Sequence, residues 1–161
     1  MDEQQGVVNL PEDEELAPLN KDNITIQQVY TEADTSTFGI VKELRPGFCA
    51  VSFTPNSKMK VDALGLVHSG YLFSAANYTA MCAVNEPNAV PISAQCYFFA
   101  PFELGNTLDL RAEMLQNDTK KREVKVEGFV LDIKVFEAIF EVAIFEHHVF
   151  KLQITGQKKF D

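Results

Sequence analysis

A long apolar run, paired cysteines and basic charge near the N-terminus are all missing from this chain of 161 residues. A membrane-crossing helix needs about twenty predominantly apolar residues, and no run here reaches that, so no membrane span is expected. The opening residues Met1-Asp2-Glu3-Gln4-Gln5 lack a basic stretch followed by an apolar one. No signal peptide is therefore expected, and a cytoplasmic location is the default reading. Cys49, Cys82 and Cys96 have no CxxC spacing and sit among apolar residues. They fit a reducing compartment and read as small core side chains. Residues 1–35 hold nine acids against one base, Lys21, while the remainder holds fourteen acids and thirteen bases. The net charge of -9 thus belongs to one end of the chain. An acidic segment repels a phosphate backbone, so no nucleic-acid partner is expected.

What is present suits one domain with a real core, since 46% of the residues are hydrophobic. Residues 1–35 read as an acidic arm, 36–152 as the folded domain and 153–161 as a tail. Within the arm, residues 1–20 carry Pro11, Pro18 and the run Glu12-Asp13-Glu14-Glu15. They cannot bury enough apolar surface to offset their ordering entropy, so this part is expected to be mobile. Residues 23–33 are open between a short helix and a strand packing on the core.

From Phe38 the pattern turns to strands. Phe38 to Leu44 and Phe48 to Phe53 flank the turn signal Arg45-Pro46-Gly47. A loop through Pro55, Asn56 and Ser57 leads to His68-Ser69-Gly70. The following stretch to Val84 is a helix that is apolar on nearly every face. Such a helix must be wrapped by other parts of the protein. The breaker cluster Asn85-Glu86-Pro87-Asn88 ends it. Four long segments follow: Val90 to Phe99, Leu108 to Met114, Val124 to Val130, and Val135 to Phe145. Apolar and polar residues alternate in the second, a clean half-buried strand, and Val124, Val126, Gly128 and Val130 of the third alternate with Glu123, Lys125 and Glu127. The last could be a helix by its Ala and Glu content, but its β-branched and aromatic density favours a strand. The expected fold is α+β, a curled antiparallel sheet around one long buried helix. One helix covers one face only, so the sheet's edge and leftover apolar surface invite a second copy.

This layout, with His68-Ser69-Gly70 and Phe73-Ser74-Ala75-Ala76-Asn77, resembles the hotdog fold and the HGG…D signature of PaaI-like acyl-CoA thioesterases. Phe98-Phe99-Ala100-Pro101-Phe102-Glu103-Leu104-Gly105 is similar to the F-x-R-P-x-x-x-G strand end of the same group. The resemblance implies a homodimer with an acyl-CoA or acyl-carrier pocket between subunits. It would be lined by His68, Ser69, Gly70, Phe73, Asn77, Ala100 and Pro101. In those enzymes a carboxylate activates water or attacks the thioester; here Asn77 stands in its place. The resemblance therefore implies no catalytic residue, no metal and no cofactor, with a coenzyme A thioester as ligand. Ala100 stands where many relatives carry Arg, which removes one cation for an anionic ligand group. Unpaired N–H groups at a helix beginning near Gly70 would hold the thioester carbonyl. An Asn-bearing helix also resembles the effector domain of malonyl-CoA-sensing repressors, though no helix-turn-helix is present. A further resemblance is to a flagella-co-expressed, virulence-associated hotdog protein of the Campylobacter and Helicobacter group.

Three functions follow as expectations: non-catalytic acyl-CoA binding, weak thioester hydrolysis, or a structural dimer acting through its arm. Plainer readings stand beside the site residues. Asn77 could be a satisfied interface amide, and His68 could simply brace its loop. His147 and His148, adjacent on an expected strand, point to opposite faces and read as surface residues. Lys120-Lys121-Arg122 reads as a solvated turn that could instead grip coenzyme A phosphates. Tyr71, Phe73, Tyr97, Phe98 and Phe99 read mostly as core.

Overall fold

A computed structural model describes residues 24–118 and 120–151. A short helix α1 (Thr35–Phe38) precedes strands β1 (Ile40–Arg45) and β2 (Phe48–Phe53). The long helix α2 (Ser69–Val84) comes next. Four strands complete the described chain: β3 (Ala89–Phe98), β4 (Leu108–Asn117), β5 (Lys121–Val130) and β6 (Ile133–Ile144). All pair antiparallel in one six-stranded sheet of order β1-β2-β4-β5-β6-β3. The strand that follows the helix therefore ends at one edge, beside the last strand.

The sheet curls around α2, which touches all six strands. Ala75, Ala76, Ala80 and Ala83 are buried along it and let the backbone approach the sheet closely. Alternation supplies the other half of the core: Val124, Val126 and Gly128 of β5 face inward, as do Leu108, Leu110 and Ala112 of β4. Phe53, Phe102, Phe136 and Phe140 are also fully buried. Each such side chain contributes about 1.5–3 kcal/mol relative to exposure. The final apolar segment is a strand, as its β-branched and aromatic content favours. Its hairpin to β5 turns on Leu131 and Asp132, both at positive φ, as a two-residue turn of the primed type requires.

Several expectations need correcting. Phe38 does not begin a strand: Asp34 caps a helical turn there, accepting from the Ser36 amide, and β1 starts at Ile40. His147 and His148 are not on a strand, because β6 ends at Ile144. Arg122 is not part of a solvated turn. It points to the inner face of β5, buried, with Glu86 3.9 Å away. Tyr97, Phe98 and Phe99 are not core in the single chain, being 51%, 46% and 54% exposed. They lie at the end of the edge strand, where the sheet offers no further neighbour. Cys49 and Cys82 are buried as expected, and Cys96 is half-buried on β3.

Residues 24–34 precede α1 without forming helix or strand. Val29 is nonetheless buried, and the segment is pinned to the C-terminal end of α2. Asn85 holds it twice: its Oδ1 accepts from the Gln28 amide at 2.7 Å, and its Nδ2 donates to the Ile26 carbonyl at 2.8 Å. Asn85 is the helix's left-handed cap, at φ 54, a conformation that asparagine tolerates well. The expected mobile stretch 1–20 and the tail 153–161 lie outside the described residues.

Gly39 joins α1 to β1 at φ 103, and a Cβ there would meet Val51 Cγ1 at 2.6 Å and the Ser52 carbonyl oxygen at 2.9 Å. Gly39→Ala thus combines a strained backbone with overpacking and is expected to cost about 1–3 kcal/mol. Urea denaturation checks this; an unchanged midpoint would mean that the α1–β1 joint relaxes freely.

Candidate functional site

The start of α2 is fixed by the loop before it. The His68 amide donates to the Met59 carbonyl at 2.9 Å, and the Val67 amide donates to the Phe102 carbonyl at 2.8 Å. Asp62 Oδ1 accepts from the Leu64 and Leu66 amides, so its carboxylate serves the loop. His68 then caps the helix: its Nδ1 accepts from the Gly70 amide at 2.9 Å. A neutral imidazole whose Nδ1 accepts must carry its proton on Nε2. His68 accordingly offers a donor, not a base, at its free nitrogen. Of the N–H groups expected to be unpaired near Gly70, that of Gly70 itself is taken by the cap. Among the described residues the Ser69 amide finds no acceptor, and it is the helix-start donor left for another molecule. A Cβ at Gly70 would lie 2.8 Å from His68 Nδ1, so a side chain there would displace the capping ring.

Beside this helix start lies a cleft of about 420 Å³. His68, Ser69 and Leu72 line it from α2, Val61 and Leu66 from the preceding loop, and Phe98 to Phe102 from the end of β3. Ala100 and Pro101, expected at the site, are thus beside His68 and Ser69. Ala100 leaves the cleft wall uncharged there.

Phe73 and Asn77 lie elsewhere. They line a second hollow of about 310 Å³, with Tyr30, Phe38, Ser74 and Tyr78. The two hollows share no residue. Leu72 and Phe73 are about 100° apart around the helix, which is enough to turn them to different faces. Gly70 lines neither. Six of the seven expected residues therefore form two separate groups in one chain.

Asn77 Nδ2 donates to the Tyr30 hydroxyl at 3.4 Å, and Asn77 Oδ1 is buried without a hydrogen-bond partner. Its neighbours on the helix are satisfied internally: Ser74 Oγ donates to the Gly70 carbonyl, and Thr79 Oγ1 to the Ala75 carbonyl. Tyr78 stacks on Tyr30 with ring centroids 6.4 Å apart, and its hydroxyl accepts from Gln27 Nε2 at 3.2 Å. Burial pushes the Tyr78 phenol above its ordinary range. Among the described residues no acidic side chain lines either hollow. Among the described residues no group of His, Cys, Asp and Glu could hold a metal ion, and no helix is long and apolar enough to cross a membrane.

Tyr30, Phe38 and Tyr78 were not picked out from the sequence as site residues. Tyr30 sits in a segment without periodicity, so no pattern could place it against α2. Tyr78 is hidden in the uniformly apolar helix, where the step from Asn77 to its neighbour carries no signal.

Over 76% of its length the chain is 36% identical to Cj0977, a sigma28-regulated virulence protein from Campylobacter jejuni, covering 89% of that protein with a TM-score of 0.73. It is 32% identical to the uncharacterized protein PH1136 from Pyrococcus horikoshii, over 78% of this chain and 97% of the other, with a TM-score of 0.77. A Helicobacter felis homologue of HP0420 gives 31% identity, 79% and 89% coverage and a TM-score of 0.75. A hypothetical thioesterase from Streptococcus pneumoniae, solved with coenzyme A, has a TM-score of 0.64 at 17% identity, a likeness of fold. Among curated proteins, the chain is 40% identical over 94 residues to methylthioribose-1-phosphate isomerase of Aquifex aeolicus. That match takes in 58% of this chain and spans about a fifth of the isomerase's length, 21%. No family model matches the chain.

The cap makes a separable prediction. His68→Ala is expected to lower stability by about 0.5–2 kcal/mol, and His68→Asn, a good capping residue, to recover most of it. Thermal unfolding of both variants checks this; an asparagine variant as unstable as the alanine one would show that the ring's packing on Tyr71, not the cap, matters.

Proposed function

This chain belongs to the hotdog family that holds Cj0977, PH1136 and the Helicobacter felis homologue of HP0420, and from that premise we propose that it binds an acyl thioester of coenzyme A, or of an acyl carrier, without hydrolysing it. One observation carries the second half of the proposal. Among the described residues no carboxylate lines either hollow, and the wall of the second carries the Asn77 amide beside the Tyr30, Ser74 and Tyr78 hydroxyls. An amide neither accepts a proton near neutral pH nor attacks a thioester. Loss of a general base costs about 10²–10⁴ in rate. His68 does not replace it, since its free nitrogen carries the proton.

The binding half rests on how the two groups would meet. Two copies joined edge to edge along β3 would continue the sheet and cover the exposed Ile92, Tyr97, Phe98 and Phe99. The cleft at one copy's Ser69 would then adjoin the other copy's Asn77 hollow. In that pocket the Ser69 amide and His68 Nε2 hold the thioester carbonyl oxygen. The apolar walls built from Leu72, Phe73 and Phe98 take the acyl chain.

Native mass spectrometry with acyl-CoAs from acetyl to palmitoyl tests this. Intact acyl-CoA retained on a dimer is the expected result. Free coenzyme A released in proportion to protein would make the molecule an enzyme, and a monomer without ligand would remove the pocket. Asn77→Asp is expected to gain thioester hydrolysis by about 10²–10⁴ over the parent. If no chain length shows a gain, Asn77 does not face the reacting carbonyl.

A further inference from the structure

We propose that Tyr30 is a specificity-determining residue: its ring closes the end of the hollow beside α2 that points toward the helix C-terminus, and so sets the longest acyl chain the site takes. The inference rests on the proposed function for the kind of ligand and for the acyl chain's place along Phe73. It adds to that reading a limit on chain length.

Where the hollow ends follows from which residues touch which. Its wall on α2 is Phe73, Ser74, Asn77 and Tyr78, and the facing wall is Tyr30 and Phe38. Tyr30 meets the later pair on the helix. Its hydroxyl accepts from Asn77 Nδ2 at 3.4 Å, and its ring stacks on Tyr78 with centroids 6.4 Å and planes 14° apart. The residues before Tyr30 then run on along the helix. Gln27 Nε2 donates to the Tyr78 hydroxyl, and Ile26 and Gln28 are both held by Asn85. From Asn77 to Asn85 is about 12 Å of helix. Tyr30 thus stands where the open hollow gives way to covered helix.

The wall suits an alkyl chain, because its hydroxyls are already engaged. Ser74 Oγ donates to the Gly70 carbonyl, the Tyr78 hydroxyl accepts from Gln27, and the Tyr30 hydroxyl accepts from Asn77. The rings of Tyr30, Phe38, Phe73 and Tyr78 are the surface an acyl chain meets. The stop itself is held by side chains. Tyr30 sits at φ 52, a region that a bulky residue enters at a cost, and its contacts with α2 keep it there. Among the described residues no backbone–backbone hydrogen bond joins residues 24–33 to the rest of the chain. Gln27, Tyr30 and Asn85 make the connection, with Val29 buried beside them. A change at Tyr30 or Asn85 therefore alters the end of the hollow without touching the sheet.

The test is a ladder of straight-chain acyl-CoAs from butyryl to palmitoyl, below their micellar range, titrated calorimetrically into the full chain, Tyr30→Gly and Asn85→Gly. Each buried methylene raises affinity about fourfold. The parent is expected to climb at that slope and to stop at the length that meets the Tyr30 ring. Glycine enters a positive φ without strain and removes the ring, so Tyr30→Gly is expected to go on climbing. A chain two methylenes past the parent's break should bind this variant about ten- to twentyfold more tightly than the parent. Asn85→Gly keeps a left-handed helix cap and loses both bonds to residues 26 and 28, so its break should also move to longer chains. It carries the test if Tyr30→Gly does not fold. A merely structural tyrosine would lower every affinity alike and leave the break where it is. That result, or a parent with no break, overturns the inference and leaves the proposed function standing. If no acyl-CoA binds the parent, the proposed function falls and the chain-length limit with it.

Discussion

One constraint organises this molecule: α2 has no polar face, so it must be enclosed. A helix that is apolar all round cannot lie at a surface, and a sheet can enclose it only by curling. The six strands do so, each touching the helix. Small residues at Ala75, Ala76, Ala80 and Ala83 let the sheet close tightly, and the inward sides of β4 and β5 complete the core. The outward sides can then be polar. There Lys134 bridges Glu127 at 2.8 Å and Glu137 at 2.9 Å, holding the Glu137 carboxyl below its ordinary range and the Lys134 ammonium above its own. These exposed pairs contribute little to stability and mark the sheet's solvent face.

Enclosure also dictates where polar chemistry can sit. Inside such a wrap every polar atom needs a partner. Ser74 and Thr79 solve this by donating to carbonyls one turn back, and the helix ends are closed by His68 and Asn85. Two side-chain atoms among the described residues do not: Asn77 Oδ1 and Arg122 Nη1. Arg122 has an acid, Glu86, at 3.9 Å. Asn77 Oδ1 has no partner, and its side chain lines the second hollow.

The His-Ser-Gly element shows how one cap limits the chemistry available. Capping consumes the Gly70 N–H and the His68 Nδ1 lone pair together. What remains is a pair of donors, the Ser69 amide and His68 Nε2. Donors stabilise a carbonyl oxygen, and neither abstracts a proton. Among the described residues, the second hollow carries an amide at Asn77 and neither hollow carries a carboxylate.

The strand-strand-helix-strand order was legible in the sequence because each element buries a face whose period is written locally. Alternation in Leu108 to Met114 and Val124 to Val130, breakers at Asn85 to Asn88, and the all-apolar run before them are properties of neighbouring residues. The short-range signals failed where a neighbour in space overrides them. Phe38 entered a helical turn because Asp34 could cap it. Tyr97 to Phe99 stand exposed because β3 pairs with β6 and ends the sheet. Arg122 turned inward with the alternation of its strand, where a charge run alone suggests solvent. The sequence by itself determined most of the elements, the buried helix and its histidine start. Only the tertiary structure decided that the expected site residues fall into two hollows and that Tyr30 meets Asn77. Residues 47 positions apart meet through the packing of the whole chain, and no local pattern encodes that distance.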